Sequence, residues 1–375
     1  MNILLINYEY PPIGGGAGNA TYNYAREFEK LGHDVVVVTS AFGCIYEYKN
    51  ENGVHLYRIP ALRKYKEKSN PVQMMSFVFS TLLFSYSIIK RHKISHSISF
   101  MSIPSGIVGL IIKKMYNLPY LIFLGGGDVP GSQPELDFFH KIVSPLRKSV
   151  LKNAKHIIAV SDGLKQLSMQ TDRYSTMTIN TGVDIKYFEP KLKNNESVCF
   201  IYVGRFSAEK NIEYIIKEFA LLANETNNTF LYMVGNGPLY EKALELCHKL
   251  DLKKRIKFFG WVNKIELRDI YHLSDSIINA SKAEGLSNTN LEAMASGLAV
   301  VASNVTGNND LIKHEENGLL FSLNEDNGLY KALKRLVEDK NLLNYLKSKS
   351  REEACEYYAW EMSARKYIEL LRNWA

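Results

Sequence analysis

Short, unbroken apolar runs separated by helix-length segments constrain this chain more than any other feature. Residues 3–7 (ILLIN) and 35–39 (VVVVT) lack the polar and apolar alternation of a strand wetted on one face, so they read as strands buried on both faces of a parallel sheet. Between them, apolar or aromatic side chains at 22, 24, 25, 28 and 31 keep a helical spacing, and Gly32 stops the run as a helix C-terminus does. Further strands are predicted at 97–100, 120–123 and 156–161, with a helix through 107–116. From residue 198 the grammar restarts, with strands at 198–204, 230–235, 256–260, 276–281 and 299–303 and helices through 212–223, from 240 and from 288. A chain of 375 residues exceeds the roughly 250–300 at which a single core stops growing. An α/β fold of two Rossmann-like, doubly wound domains follows, over residues 1–185 and 190–357, with the polar, proline-containing stretch 185–197 as linker. The amphipathic segment 351–374 is predicted to be one long helix.

Charge is uneven along the chain. Residues 1–188 hold 21 Lys and Arg against 13 Asp and Glu, or +8, whereas residues 189–375 hold 25 against 26, or −1. Residues 58–93 alone carry Arg58, Arg63, Lys64, Lys66, Lys68, Lys90, Arg91 and Lys93 against the single acid Glu67. Four scattered cysteines never approach a C-x-x-C spacing, which argues against a disulfide framework or a zinc site and fits a reducing compartment. The opening MNILLINYEYPP has neither a basic n-region nor a cleavage site, so a cytoplasmic location is expected.

In open α/β sheets ligands bind beyond the carboxyl ends of the strands, so the loops there carry the chemistry. The first, Tyr10-Pro-Pro-Ile-Gly-Gly-Gly-Ala-Gly18, enters a helix and lets backbone N–H groups, those of Gly15 and Gly16 among them, approach a phosphate. It departs from the dinucleotide fingerprint, because Asn19 stands where a third glycine belongs and strand two ends Val38-Thr39-Ser40 without an acid; a nicotinamide oxidoreductase is disfavoured. The second loop, Val203-Gly-Arg-Phe-Ser-Ala-Glu-Lys-Asn211, supplies Arg205 and Lys210 with no D-x-D pair beside them. Fixed cations of this kind neutralise a departing diphosphate without metal, unless both are only solvated charges at a helix start. The third element, Ala283-Glu-Gly-Leu-Ser-Asn-Thr-Asn-Leu-Glu-Ala-Met-Ala-Ser-Gly297, places Glu284 in a loop and Glu292 in a helix, with the free N–H groups of 286–289 between them. The carboxylates suit sugar and ribose hydroxyls, or serve as a cap and a surface residue.

The ordered set of these loops, with Asn180-Thr-Gly-Val-Asp184, Val234-Gly-Asn-Gly-Pro238 and Phe259-Gly-Trp-Val262, resembles the family-four retaining glycosyltransferases (glycosyl transferases group 1) of the GT-B fold over nearly the whole chain. The resemblance implies two Rossmann-like domains facing across a cleft, with a C-terminal helix at about 358–375 crossing back to the N-terminal, acceptor-binding domain. It implies that Arg205 and Lys210 hold the donor diphosphate with the amides of Gly15, Gly16, Leu286, Ser287 and Asn288. Glu292 would take the ribose hydroxyls, Glu284 the transferred sugar, and Trp261 and Val262 the base. Transfer would retain anomeric configuration by front-face attack, with no metal, no cofactor and no protein nucleophile, and a UDP-sugar is expected over a GDP-sugar. The family's usual histidine after the fifth strand is replaced, in Leu124-Gly-Gly-Gly-Asp128, by Gly125; Asp128 is read either as a sugar or acceptor contact or as a turn residue.

Residues 72–89 approach the length of a membrane span, but Gln73, Ser76, Ser80 and Ser87 form a polar stripe, so a crossing is not expected. With cations on both flanks, the segment suits an anionic membrane surface or, alternatively, an ordinary buried helix. A glycan or lipid-linked acceptor in cell-surface polysaccharide synthesis follows, and nucleic acid does not, because no recognition motif accompanies the charge. A nucleotide-sugar epimerase on the same fold and an inactive membrane-associated scaffold are the competing readings.

Overall fold

The computed structural model describes residues 1–43, 45–65, 69–132, 136–191 and 197–374. They form two compact units, residues 1–181 with 360–375 and residues 182–359.

The first unit runs β1 (Asn2–Ile6), α1 (Gly16–Lys30), β2 (Asp34–Ser40), β3 (Glu47–Glu51), β4 (Val54–Ile59), α2 (Pro71–Arg91), β5 (His96–Phe100), α3 (Ser105–Tyr116), β6 (Tyr120–Leu124), α4 (Asp137–Asn153), β7 (His156–Ala159), α5 (Asp162–Asp172) and β8 (Met177–Thr178). Its sheet has the order β3-β4-β2-β1-β5-β6-β7-β8 and is parallel except for the β3–β4 pair. The second unit runs β9 (Val198–Val203), α6 (Ile212–Glu225), β10 (Thr229–Val234), α7 (Tyr240–Lys249), β11 (Ile256–Gly260), α8 (Lys264–His272), β12 (Ser276–Asn279), α9 (Asn288–Ala295), β13 (Ala299–Ser303), β14 (Leu319–Phe321), α10 (Gly328–Glu338) and α11 (Lys340–Tyr357). Its order, β11-β10-β9-β12-β13-β14, reverses direction between β9 and β12, which is the topological switch point where ligands of such sheets bind. Each central strand is apolar throughout because helices cover both faces, and Ile201, Ile277 and Val300 are buried on one side of the second sheet as Phe200, Ile278 and Val301 are on the other.

Two expectations about chain segments are corrected. The segment 351–374 is not one helix: α11 ends at Tyr357 and α12 (Trp360–Arg372) begins after Ala359, whose backbone pairs with Val183. That pairing draws the chain out of helical geometry, and buried Tyr358 and Trp360 fix the break. The α12 helix packs in the first unit, with the Tyr24 ring 5.1 Å from Trp360 and 4.8 Å from Tyr367. The stretch 185–190 is packed rather than a free linker: Phe188 is buried, and Arg351 donates to the carbonyls of Phe188 (3.2 Å) and Ile185 (3.0 Å), so the division between units falls before Gly182. The remainder of that linker, 192–196, lies outside the described residues.

Helix α2 follows its expected polar stripe only in part: Ser87 is exposed, Ser76 and Ser80 are half-buried and Gln73 is buried. Gln73 is buried in a capping box with Asn70, and Ser76 and Ser85 satisfy their hydroxyls on the helix carbonyls of Gln73 (2.7 Å) and Leu82 (2.7 Å). Small self-satisfied side chains can therefore face β4 and α3, and the exposed line becomes Val72, Met75, Phe79, Leu83 and Tyr86. The neighbouring basic cluster is also thinner than its count. Arg63 is buried over the Tyr8 ring, 4.5 Å away, and Arg58 donates to the Pro11 carbonyl (2.6 Å), while Lys66 and Lys68 lie outside the described residues.

Candidate functional site

The second unit carries a cavity of about 220 Å³ at its switch point, bounded by Val203, Gly204, Lys210, Asn279, Glu284 and the first turn of α9. The β9 strand delivers Gly204 to the cavity floor, where Gly235 crosses it so closely that a Cβ there would lie 1.9 Å from the Gly204 carbonyl oxygen. With φ at +126°, only glycine serves at 235. After β9 the chain turns through a 3-10 segment, Ala208–Lys210, and the Lys210 ammonium comes 2.6 Å from Glu284 Oε1. Glu284 also accepts from the Ser281 hydroxyl at 2.8 Å. A cation and a carboxylate, both largely shielded, thus face one hollow. The α9 helix opens beside them, with Ser287 as its N-cap accepting from the Asn290 N–H, and Leu286, Ser287 and Asn288 line the same hollow. First-turn N–H groups and the positive end of the helix there favour an anionic group.

A buried amide cluster holds this arrangement, and the sequence reading missed it. Asn279 Nδ2 donates to Ser287 Oγ (3.1 Å) and Asn308 Oδ1 (3.3 Å), Asn290 Nδ2 donates to Asn308 Oδ1 (3.2 Å), and Asn308 Nδ2 donates to the Ser303 carbonyl (3.1 Å). Gly307 admits the loop, since a Cβ there would stand 2.5 Å from the Glu284 carbonyl oxygen. The legible signal was the set of asparagines at the end of β12, inside α9 and between β13 and β14.

The other expected residues fall as follows. Arg205 follows Gly204 and is exposed; its carbonyl accepts from the Tyr202 hydroxyl at 2.9 Å, and among the described residues nothing holds its guanidinium. Glu292 stands in the second turn of α9, outside the cavity lining, and accepts from the Tyr271 hydroxyl at 3.3 Å. Burial pushes its carboxyl up to about 7, with Lys264 and the Tyr271 hydroxyl pulling the other way. Trp261 is 78% exposed, and Val262 packs at the edge of the core. Gly15, Gly16 and Asp128 belong to the first unit. Gly15 caps α1, with open space where a Cβ would be and its N–H donating to Glu9 Oε2 at 3.1 Å. An internal carboxylate therefore rests at the helix start where a phosphate was expected. Asp128 is consumed by its own loop: Oδ1 accepts from the N–H groups of Gly125 (3.1 Å) and Gly126 (3.2 Å), and Oδ2 from Ser102 (3.2 Å). Of its two readings, this geometry fits the turn-organising one. His140 Nε2 lies 3.2 Å from the Gly127 carbonyl on the far side of the same turn.

The state of Glu292 gives a testable pH dependence. Its folded value lies above the ordinary carboxyl range, so the proton is held more tightly in the folded than in the unfolded chain. The resulting stability is present below the ordinary carboxyl value and is lost as pH rises through about 7. A ligand donating hydroxyls into the carboxylate stabilises the anion, so affinity for a ribose-bearing ligand is expected to rise between about pH 6 and about pH 8. Calorimetry with a nucleoside diphosphate checks this, with Glu292→Gln as reference for the phosphate's own titration. Equal pH slopes in the two proteins would refute it.

Comparison with known proteins matches both units. The model of Glycosyltransferase Family 4 matches residues 14–187, and that of Glycosyl transferases group 1 matches residues 183–353. The chain is 26% identical to the UDP-Gal:alpha-D-GlcNAc-diphosphoundecaprenol alpha-1,3-galactosyltransferase of Escherichia coli, over 88% of this chain and 87% of that one. It is 23% identical to the alpha-monoglucosyldiacylglycerol synthase of Streptococcus pneumoniae, over 86% and 75%. Among solved structures, the sucrose-phosphate synthase of Thermosynechococcus elongatus superposes with a TM-score of 0.84 at 20% identity, over 99% and 98% of the two chains. Anabaena HepE, solved with UDP and glucose, superposes at 0.75 with 17% identity over the full length of both. The two family models together span residues 14–353, and the chain belongs to the family-four glycosyltransferases of the GT-B fold.

Proposed function

We propose that this glycosyltransferase moves a hexosyl or N-acetylhexosaminyl group from a UDP-sugar to a lipid-linked or glycan acceptor at the cytoplasmic face of a membrane, in cell-surface polysaccharide synthesis, with retention and without metal. The observation that carries the reading is the Lys210–Glu284 pair set at the switch point against the first turn of α9. Lys210 and the helix N–H groups suit the diphosphate, and Arg205 adds a second cation within reach of the same loop. Glu284, with its remaining lone pairs, suits the hydroxyls of the transferred sugar. Glu292 is assigned to the ribose. The relatives named for transfer to GlcNAc-diphosphoundecaprenol and for synthesis of monoglucosyldiacylglycerol support a lipid acceptor, and HepE, solved with UDP, supports the base.

Calorimetry with UDP and GDP in the presence of a chelator tests the donor assignment: UDP is expected to bind and GDP to bind more weakly, and a protein that binds neither would be an idle scaffold. Donor consumption that needs no acceptor would instead indicate an epimerase.

The membrane part of the proposal rests on α2. Val72, Met75, Phe79, Leu83 and Tyr86 are 49–68% exposed along one helix face, and Lys90 and Arg91 follow in its last turn. Such a face suits partial insertion below anionic headgroups. Phe79→Asp with Leu83→Asp is expected to weaken co-sedimentation with phosphatidylglycerol vesicles by about tenfold or more, since each buried side chain of this size contributes about 1.5–3 kcal/mol. Binding unchanged in the double variant would remove α2 from the proposal.

A further inference from the structure

A second hollow of the second unit lies away from the site above. It is a groove of about 580 Å³ beside β11, the edge strand of the sheet, and it reaches residues at the start of β10 and β11. The donor cavity lies at the other end of the strands, beyond the carboxyl termini of β9 and β12.

His248, Lys253, Lys254, Arg255 and Lys257 line this groove, and no acidic residue does. Residues 248–257 hold five Lys and Arg against the single acid Asp251, a local +4 in a half of the chain whose total is −1. Arg255 is built in: its guanidinium donates to the Thr229 carbonyl (2.8 Å), the Thr229 hydroxyl (2.6 Å) and the Ala223 carbonyl (3.3 Å), and among the described residues no carboxylate pairs with it. Among the described residues, Lys253, Lys254 and Lys257 make no ion pair, and all three are exposed. The floor between them is aromatic. Phe230 and Tyr232 are partly exposed on β10, with Arg255 5.7 Å from the Phe230 ring. Protection of a bare sheet edge requires a few charges on the strand; it requires neither a concave floor nor a cation fixed by three hydrogen bonds.

We infer that this groove is a second binding site, for an acidic glycan. Unpaired cations at several points suit the repeated carboxylate or phosphate groups of such a polymer, and the half-exposed Phe230 and Tyr232 give apolar surface for a sugar ring between them. An anionic membrane is a poorer occupant, because the groove is concave and the exposed apolar stripe is on α2 in the other unit. The site would hold a charged polymer while chemistry proceeds at the switch point, and it stands independently of which nucleotide is the donor.

The test uses the full chain. Oligogalacturonate is titrated at low and at physiological salt, beside dextran as neutral glycan, a single-stranded RNA oligomer and phosphatidylglycerol vesicles. Oligogalacturonate is expected to bind with an affinity that falls steeply with salt, and Lys253→Ala/Lys254→Ala/Lys257→Ala is expected to weaken it about tenfold or more while UDP affinity is unchanged. Equal binding of dextran, tighter binding of RNA by the same residues, vesicle binding lost in the triple variant, or undiminished oligogalacturonate binding by that variant would each overturn the assignment. Loss of UDP binding by the wild-type protein would count against the donor site and leave this one standing.

Discussion

Lys210→Ala is expected to lower the rate of donor consumption at saturating donor and acceptor about 100- to 1,000-fold, the scale that follows removal of one preorganised group aimed at developing charge. Lys210 is anchored at the end of a 3-10 turn, with its side chain 23% exposed, and its ammonium is 2.6 Å from Glu284. It needs little reorganisation to meet a departing phosphate, which is why its loss should act on turnover more than on donor affinity. Glu284 keeps its bond from Ser281, so the variant leaves a carboxylate that is still solvated and hydrogen-bonded, and thermal unfolding should shift little. Lys210→Arg should fall between the two proteins, because the charge is kept but the planar fork fits a single carboxylate oxygen poorly. Turnover within a few-fold of wild type in the alanine variant would remove Lys210 from the chemistry.

The largest stability effect is expected at Arg147. Its side chain is 1% exposed and paired with Asp172, itself 5% exposed, between α4 and α5. Arg147→Met would leave Asp172 as an unpaired buried carboxylate at a cost of about 3–5 kcal/mol. Burial already raises the Asp172 carboxyl, and Arg147 is the chief influence opposing that rise. In the variant the folded value climbs further, so stability is retained at low pH, where the group is protonated in both states, and lost as pH rises through the new folded value. Urea unfolding at about pH 5 and about pH 8 should show the larger deficit at the higher pH. Arg147→Met/Asp172→Leu should recover most of the loss, because two apolar side chains can fill the volume of a buried pair. An unchanged first-unit transition in the single variant would contradict the account.

The central strands of both sheets were legible because strands buried on both faces must be apolar throughout, whereas the short edge strands β8 and β14 were not read. The β3–β4 hairpin was not: β3, Glu47–Glu51, is a polar edge strand whose pairing is set by its partner. The α2 helix shows the limit of periodicity more sharply. Apolar residues surround it almost completely, so a pattern of serines looked like the wet side; Ser87 is exposed, but Gln73 is buried and Ser76 half-buried because their polar groups bond within the helix and its cap. At the site, Lys210, Glu284 and the α9 start were read from loop chemistry. The asparagine cluster was not, because its members touch only once β12, α9 and the β13–β14 connection have been folded together. Asp128 illustrates the converse, since a carboxylate in a glycine loop has one appearance in sequence whether it faces a ligand or its own backbone.

The return of α12 to the first unit sets an order of manufacture. Tyr24 leaves the ribosome early, but the aromatic neighbours that seal it, Trp360 and Tyr367, emerge only after the whole of the second unit has been made. The unit begun first is thus completed second, and until then its α1 face stands open to whatever holds nascent chains.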